Sequence, residues 1–371
     1  MSLHLSAEKH MKVLEGCRFC GMCTHVCTVG NATHNDANAP RGKGRLLYAL
    51  HTGMMDFTPR VAELLYQCAD CKLCQAWCVP GLDIGATIRD ARRDVVERDA
   101  APATASAVSR ATAGSGNPYG KPTPVFDWID KSAIGAKGAQ VLYFVDSHTA
   151  YNEPSVAQAT WHLFERLQIR AAVLPQWIDS GESLLELGYL EQARAQAEKT
   201  LLALREAQAE SIVFSSADAY HMVAKEYSET FGLSTEGLQF CHISEFLAEH
   251  LKSQQLTRFE SRVTWHDPCR LGRGMNVYDA PRMVLTQIPG LVVIEPYRTR
   301  EKAVCCGAGG GLAFTNPAIA NDAARQAGHM LGMSNPQMIA TGCSRCKSSL
   351  QPVLAHVEVV ELAELVARVL A

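Results

Sequence analysis

At 371 residues, 47% hydrophobic and 20% charged, the chain has the composition of a soluble globular protein and exceeds what one core organises, so two or three domains are expected. A net charge of −3 provides no basic domain for nucleic acid, and no apolar run approaches the length of a membrane span. Met1 to His10 carries charges where a secretory signal needs an apolar core. Fourteen cysteines would suit a small disulfide-stapled secreted domain, but this chain is long enough to bury a core without staples. Metal-type cysteine spacing and the lack of an export signal place the chain in the cytoplasm, with any membrane contact made through a partner.

The first segment, residues 1–98, holds two cysteine runs of identical form, C-x2-C-x2-C-x3-C: Cys17, Cys20, Cys23, Cys27 and Cys68, Cys71, Cys74, Cys78. Helical patterns run from Val61 to Tyr66 and from Ile88 to Arg98, with Ile88, Ala91, Val95 and Val96 at helical intervals. Three thiolates two residues apart in a tight loop can converge on one centre, while a fourth must come from elsewhere. The spacing resembles that of bacterial-type ferredoxins, which hold cubane 4Fe-4S clusters with the fourth cysteine of each run ligating the other cluster. That resemblance implies one cluster on Cys17, Cys20, Cys23 and Cys78, and a second on Cys68, Cys71, Cys74 and Cys27. The ferredoxin run continues with proline, where Thr28 and Val79 stand here and Pro80 follows one place late. Two zinc sites are the alternative, but those usually pair C-x2-C motifs a dozen or more residues apart. Arg41, Lys43 and Arg45 either solvate a loop or dock an acidic partner.

From Asp99 to Pro124 the composition shifts to Ala, Pro, Ser, Thr and Gly, read as a linker. Beyond it, strands are expected at Val141–Val145, Ala171–Leu174, Ile212–Ser215, Val263–Trp265, Leu291–Glu295 and Met338–Thr341. Helices are expected between them, including Leu185–Ala207 and Pro317–Leu331. Such alternation favours α/β layers with mainly parallel strands.

The third cysteine set is Cys269, Cys305, Cys306, Cys343 and Cys346, written C-x35-CCG-x35-C-x2-C. With His266-Asp267-Pro268-Cys269, Cys305 through Gly311 and Thr341-Gly342-Cys343, it resembles the cysteine-rich CCG domain of the heterodisulfide reductase family, found also in iron-sulfur subunits of glycolate and D-lactate dehydrogenases. Such domains come in pairs, and the preceding region carries a blank sibling. Val141 to Ser147 aligns with Val263 to Cys269, Trp177 and Ile178 fall near the Cys-Cys position, and Ser216 to Ala219 keeps the spacing of Cys343 to Cys346. With Ser147, Trp177, Ile178, Ser216 and Ala219 in place of thiolates, this half cannot hold a thiolate-ligated cluster and reads as a scaffold.

The expected fold is therefore α+β: a mainly helical two-cluster ferredoxin-like domain (1–98), a linker (99–124), a degenerate CCG half (125–235) and a complete CCG half (236–371), the halves forming mainly parallel sheets. The resemblance implies that Cys269, Cys305, Cys306, Cys343 and Cys346 hold a noncubane 4Fe-4S cluster or zinc, since soft thiolates suit both. Five thiolates favour the cluster, because structural zinc is satisfied by four.

Gly307 to Gly311 lacks the spacing of a dinucleotide loop and reads as close backbone approach to the metal site, with N–H groups free to point at sulfur. Arg18, Lys72, Arg345 and Lys347 lie within cysteine loops, where positive charge would stabilise thiolates. Cys241, outside every set, reads as an inert buried thiol. His266 reads as a turn residue, a proton carrier or a ligand.

Without a dinucleotide fingerprint, the chain is expected to leave flavin to a partner, a flavin-containing dehydrogenase subunit or an electron-transfer flavoprotein, and to relay single electrons to a second carrier or a quinone. The alternatives are a reductase acting on a disulfide, quinone or thioester-type substrate at the CCG site, and a zinc-bound structural subunit.

Overall fold

In a computed structural model, which describes residues 3–251 and 256–371, the cysteine-rich amino-terminal segment is helical and two parallel sheets follow it. Helices Glu8–Gly16, Pro40–His51, Pro59–Tyr66 and Ile84–Val96 close around Leu47, Leu65, Tyr66, Ile88 and Val95. Proline at the first turn suits Pro40 and Pro59, where a missing N–H costs nothing. Thr58 accepts from the Val61 N–H, and Asp83 accepts from the Ala86 N–H. These caps fix where each helix begins, the second soon after the loop that carries Cys78.

The segment read as a bare linker contains a helix, Ala103–Ser115, whose Ala105 and Val108 are buried with the amino-terminal core. Alanine has the highest helix propensity, Pro102 sets its start and Gly116, at φ +74°, ends it. The composition that excluded a core of its own did not exclude packing on a neighbour's.

The first sheet contains β1 (Val141–Phe144), β2 (Ala171–Ala172), β3 (Ser211–Phe214) and β4 (Phe240–His242) in the order β2-β1-β3-β4. The second contains β5 (Ser261–His266), β6 (Leu291–Ile294), β7 (Met338–Thr341) and β8 (Glu358–Glu361) in the order β6-β5-β7-β8. Every pairing is parallel, and the two orders are the same order, so the region is a structural duplication. β4 and β8 were not foreseen; β4 has three residues, and β8 begins and ends on a glutamate, Glu358 and Glu361. Because β4 pairs with β3, the first sheet runs beyond position 235, where the sequence suggested its end.

The halves pack reciprocally. Helix Ser147–Asn152, after β1, meets Ser344–Leu350, after β7, while the Arg270–Gly274 π-turn, after β5, meets Ala217–His221, after β3. Pro154–Arg166 likewise lies on Leu362–Val369, and Ile243–His250 on Asp279–Thr286. A pseudo-twofold arrangement of this kind puts the loops after β1, β3, β5 and β7 at one seam. Among the described residues, no helix is long and apolar enough to cross a membrane.

The helix expected over Leu185–Ala207 is broken into Glu182–Glu186 and Leu190–Ala207. Gly188 makes the break at φ +91°, where an added Cβ would lie 2.7 Å from the Arg92 backbone carbon. Replacing Gly188 by alanine should cost about 2–4 kcal/mol from strain and overlap, read as a lower chemical-denaturation midpoint. Gly232→Ala, in open space at φ +65°, should cost less.

Candidate metal centres

Both amino-terminal cysteine runs are wound in the same way. Phe19 and Gly21 in the first, and Asp70 and Lys72 in the second, occupy equivalent positions and all have positive φ. Non-glycine residues adopt that region rarely, and here it tightens each loop so that three thiols turn inward. Cys17, Cys20, Cys23 and Cys78 line one cavity of about 120 Å³. Cys27, Cys68, Cys71 and Cys74 line another of about 40 Å³. The fourth cysteine of each run thus stands with the three of the other.

The donor chemistry of these cavities fits a metal cluster. Burial pushes the Cys23 thiol up to about 11 and the Cys27 thiol up to about 12, and the Cys74 thiol well above its ordinary value. Thiols so buried give up their protons to a bound metal ion. Lys43 lies in the second cavity's wall rather than in a solvated basic patch, 2% exposed, its Nζ donating to the Leu64 carbonyl at 3.1 Å. Neither surface role expected for it applies; it places a positive charge beside Cys68 and Cys27.

The third set gathers at the seam. Cys343 immediately precedes helix Ser344–Leu350 and Cys346 follows one turn later, while Cys269 immediately precedes the Arg270–Gly274 turn. Cys306 Sγ and Cys346 Sγ lie 3.2 Å apart. Cys305, Cys306, Cys343 and Cys346 are all buried, and Cys269 is partly so. The Cys305 thiol is raised through contacts with Cys269, Cys306 and Cys71. Cys71 in turn is held down to about 6, chiefly by hydrogen bonding with Cys305. Sequence spacing gave no sign that the second amino-terminal loop and the CCG loop touch.

A buried ionic network binds the three parts there. Arg270 reaches Glu186 at 2.9 Å and Asp70 at 3.2 Å; Arg345 reaches Glu182 at 3.1 Å, Glu186 at 3.2 Å and Asp218 at 3.7 Å. Arg89 pairs with Glu226 at 2.7 Å and Asp70 at 3.6 Å. Arg92, fully buried, donates to the carbonyls of Leu65, Cys68, Glu186 and Gly310. Burial alone would raise Glu186, but Arg345 and Arg270 overrule it and hold the carboxyl low. Burial prevails at Glu182 and Asp218, which are both raised.

These contacts revise three expectations. The degenerate half is more than a scaffold, since its Asp218 accepts from Cys343 Sγ at 3.3 Å. Arg345 faces carboxylates of that half instead of standing free beside thiolates, Lys347 pairs with Glu153 and Glu364, and Lys72 pairs with Asp83 at 3.2 Å. In the glycine loop Gly307 N donates to Cys305 Sγ at 3.3 Å, but Gly310 and Gly311 donate to Glu186 at 2.9 and 3.0 Å. A Cβ at Gly310 would sit 2.5 Å from the Ala69 backbone, so the loop's smallness serves contact with the second cysteine run. Ser147, Trp177, Ser216 and Ala219 offer no thiol; Ser216 precedes helix Ala217–His221 as Cys343 precedes its counterpart, neither side chain making a capping bond, and Trp177 Nε1 donates to the Val145 carbonyl. Ile178 is packed against the main core. Cys241 is half-buried on β4, its thiol pushed up to about 12 by burial. Glu182 and Glu186 share a helix face at i, i+4, the one sequence signal that could have marked them.

Removing one partner of the network leaves a buried charge uncompensated, so Arg270→Met should destabilise the chain by about 3–5 kcal/mol, measured by chemical denaturation. Substituting Lys43 with Met should leave iron binding intact and shift one reduction potential to more negative values, read by redox titration. The sign follows from losing a cation beside a centre that gains negative charge on reduction.

Two family models match: a 4Fe-4S dicluster domain over residues 13–82 and a cysteine-rich domain over 263–351. The chain is similar to a subunit of the dihydromethanophenazine:CoB–CoM heterodisulfide reductase of Methanosarcina barkeri, at 26% identity over 99% of this chain and 96% of that one. It is similar to the probable iron-sulfur-binding oxidoreductase FadF of Bacillus subtilis, at 28% identity over 78% of this chain and 43% of that one. It also resembles a subunit of the fumarate reductase (CoM/CoB) of Methanothermobacter marburgensis, at 26% identity over 95% of this chain and 72% of that one. The chain thus carries a 4Fe-4S dicluster domain and a cysteine-rich domain, and its similarity to the heterodisulfide reductase subunit of Methanosarcina barkeri runs over nearly its whole length.

Proposed function

We propose that the chain is an electron-relay subunit of a multisubunit flavin-dependent oxidoreductase, with Cys17, Cys20, Cys23 and Cys78 holding one cubane 4Fe-4S cluster and Cys68, Cys71, Cys74 and Cys27 the other. Cys269, Cys305, Cys306, Cys343 and Cys346 hold a third, noncubane 4Fe-4S centre. Bound there, the clusters supply one-electron redox chemistry in series. The observation that carries the reading is the packing of Cys71 and Cys305 in one cluster, which brings a residue of the second cubane set beside a residue of the CCG set.

The chain's own residues support a linear arrangement. The cavity of Cys17, Cys20, Cys23 and Cys78 is bordered by Cys74, so it adjoins the second. Its Cys20 is exposed, as are neighbouring Met22 and Val79. The exposed end faces a redox partner, while the CCG cysteines stand at the buried end. The partner is a flavin-containing dehydrogenase subunit or an electron-transfer flavoprotein, with a quinone or second carrier completing the circuit, and any membrane contact is made through such partners. Relatives named as reductase subunits support assembly with others.

A catalytic role on a disulfide, quinone or thioester-type substrate is the second reading, supported by near full-length similarity to one chain of a heterodisulfide reductase. Against it stand the burial of four of the five CCG cysteines and the single complete site. After anaerobic reconstitution the relay reading expects about twelve irons per chain, from three four-iron clusters. Finding no iron would overturn it, and about eight irons with one zinc would leave the CCG site structural. Cys78→Ser should weaken the centre built on Cys17, Cys20 and Cys23, and Cys27→Ser the other; loss in the opposite pairing would refute the exchange of fourth ligands. Reduced protein given a disulfide, quinone or thioester without any partner should show no turnover, and turnover would favour the catalytic reading.

A further inference from the structure

His266 is a buried imidazole whose position is fixed from both sides and whose ring nitrogens have no protein partner. It ends β5 in register with Thr341 on β7, whose hydroxyl donates to the His266 carbonyl at 3.3 Å. Its neighbours are held independently. Trp265 Nε1 donates to Asp267 Oδ1 at 2.9 Å, and Asp267 takes both Arg282 terminal nitrogens, at 2.8 and 2.9 Å, together with the Arg300 N–H at 2.8 Å. With the residues before and after it anchored, His266 cannot swing to solvent, and it is 1% exposed. Neither Nδ1 nor Nε2 is hydrogen-bonded in the described structure.

An imidazole so placed carries a cost unless something takes its N–H. What lies beside it is sulfur: a ring nitrogen of His266, Cys306 Sγ and Cys346 Sγ all fall within 4.8 Å of one another. We propose that His266 donates a hydrogen bond to sulfur on the Cys306–Cys346 side of the CCG centre and thereby holds that centre's reduction potential up. This rests on the reading of the five cysteines as the ligands of a redox centre. The sign follows from charge: reduction makes the centre more negative, and an N–H aimed at its sulfur stabilises the reduced state more than the oxidised one. Five thiolates already supply a full protein ligand set, which leaves the imidazole the outer role.

His266 is thus a positioning residue, tested on the whole chain, reconstituted anaerobically as wild type, His266→Ala and His266→Gln. All three should bind the same amount of iron. In the reduced wild type, pulsed electron paramagnetic resonance in deuterated buffer should show a weak nitrogen coupling and an exchangeable deuteron at the CCG centre. The alanine variant should lose both and titrate at a more negative potential, and glutamine, which keeps an N–H donor, should recover most of the shift. Unchanged couplings and potential in His266→Ala would overturn the proposal, as would a strong coupling from directly bonded nitrogen. Loss of iron in both variants would also overturn it, since it would make His266 a ligand or a structural residue.

Metal analysis separates this from failure of the underlying reading. A wild type with zinc in place of the third cluster refutes the redox centre, and the hydrogen bond is then read from thiolate reactivity. Iodoacetamide should modify Cys306 faster in His266→Ala and at the wild-type rate in His266→Gln, because an N–H donor quiets a thiolate. Equal rates in all three would overturn the hydrogen bond there as well.

Discussion

Glu186 is the point on which three parts of the chain converge. Its carboxylate takes Arg270, Arg345 and the N–H groups of Gly310 and Gly311, and its carbonyl takes Arg92. Each partner carries a metal-site loop with it: Arg270 follows Cys269, Arg345 stands between Cys343 and Cys346, and Gly310 closes the loop begun by Cys305 and Cys306. Arg92 also grips the Cys68 carbonyl, so the second amino-terminal loop is tied to the same point. Burying ions costs several kcal/mol apiece, repaid only when geometry and secondary hydrogen bonds are nearly complete. Such an arrangement is a weak source of stability and a strong source of register, because any displacement of one loop leaves several charges unpaired.

The proposed relay depends on that register. Arg273 adds to it by donating to the Cys71 carbonyl at 2.6 Å and the Ala303 carbonyl at 2.8 Å, joining the loop of one centre to the approach of the next. Helix Thr28–Thr33, leaving the first cysteine run, packs on helix Pro317–Gly332 of the CCG half. The amino-terminal domain is thereby clamped to the second half at both of its cysteine runs.

The cysteine sets, the duplication and the parallel sheets were legible in the sequence because each leaves a periodic or spaced signal: C-x2-C repeats, CCG, and alternation of short apolar runs with helical ones. The network was not legible, since a buried charge has no periodicity of its own and Glu182, Arg270 and Lys43 look like surface residues until their partners are known. Lys43 shows the difficulty best. Flanked by Arg41 and Arg45, it reads as part of a basic surface, yet the helix beginning at Pro40 turns it alone inward toward Cys27 and Cys68. The Ala103–Ser115 helix was missed for the opposite reason, because a segment too poor in large apolar residues to build a core can still cover one.

The blank half makes sense in these terms. Its thiol positions are lost, and Ser216 keeps only the place of the cysteine before the helix that follows β3. Two residues on, Asp218 points across the pseudo-twofold seam to Cys343 and Arg345, and Glu182 and Glu186 approach from the same side. A half that kept its own cluster would have set a second negatively charged centre at that seam. Carboxylates bring negative charge that Arg345 and Arg270 offset, although burial still raises Glu182 and Asp218 above their ordinary values. The second half keeps Arg345 buried between its cysteines because the first half supplies the carboxylates that pair with it, so the first half contributes charge as well as covering surface.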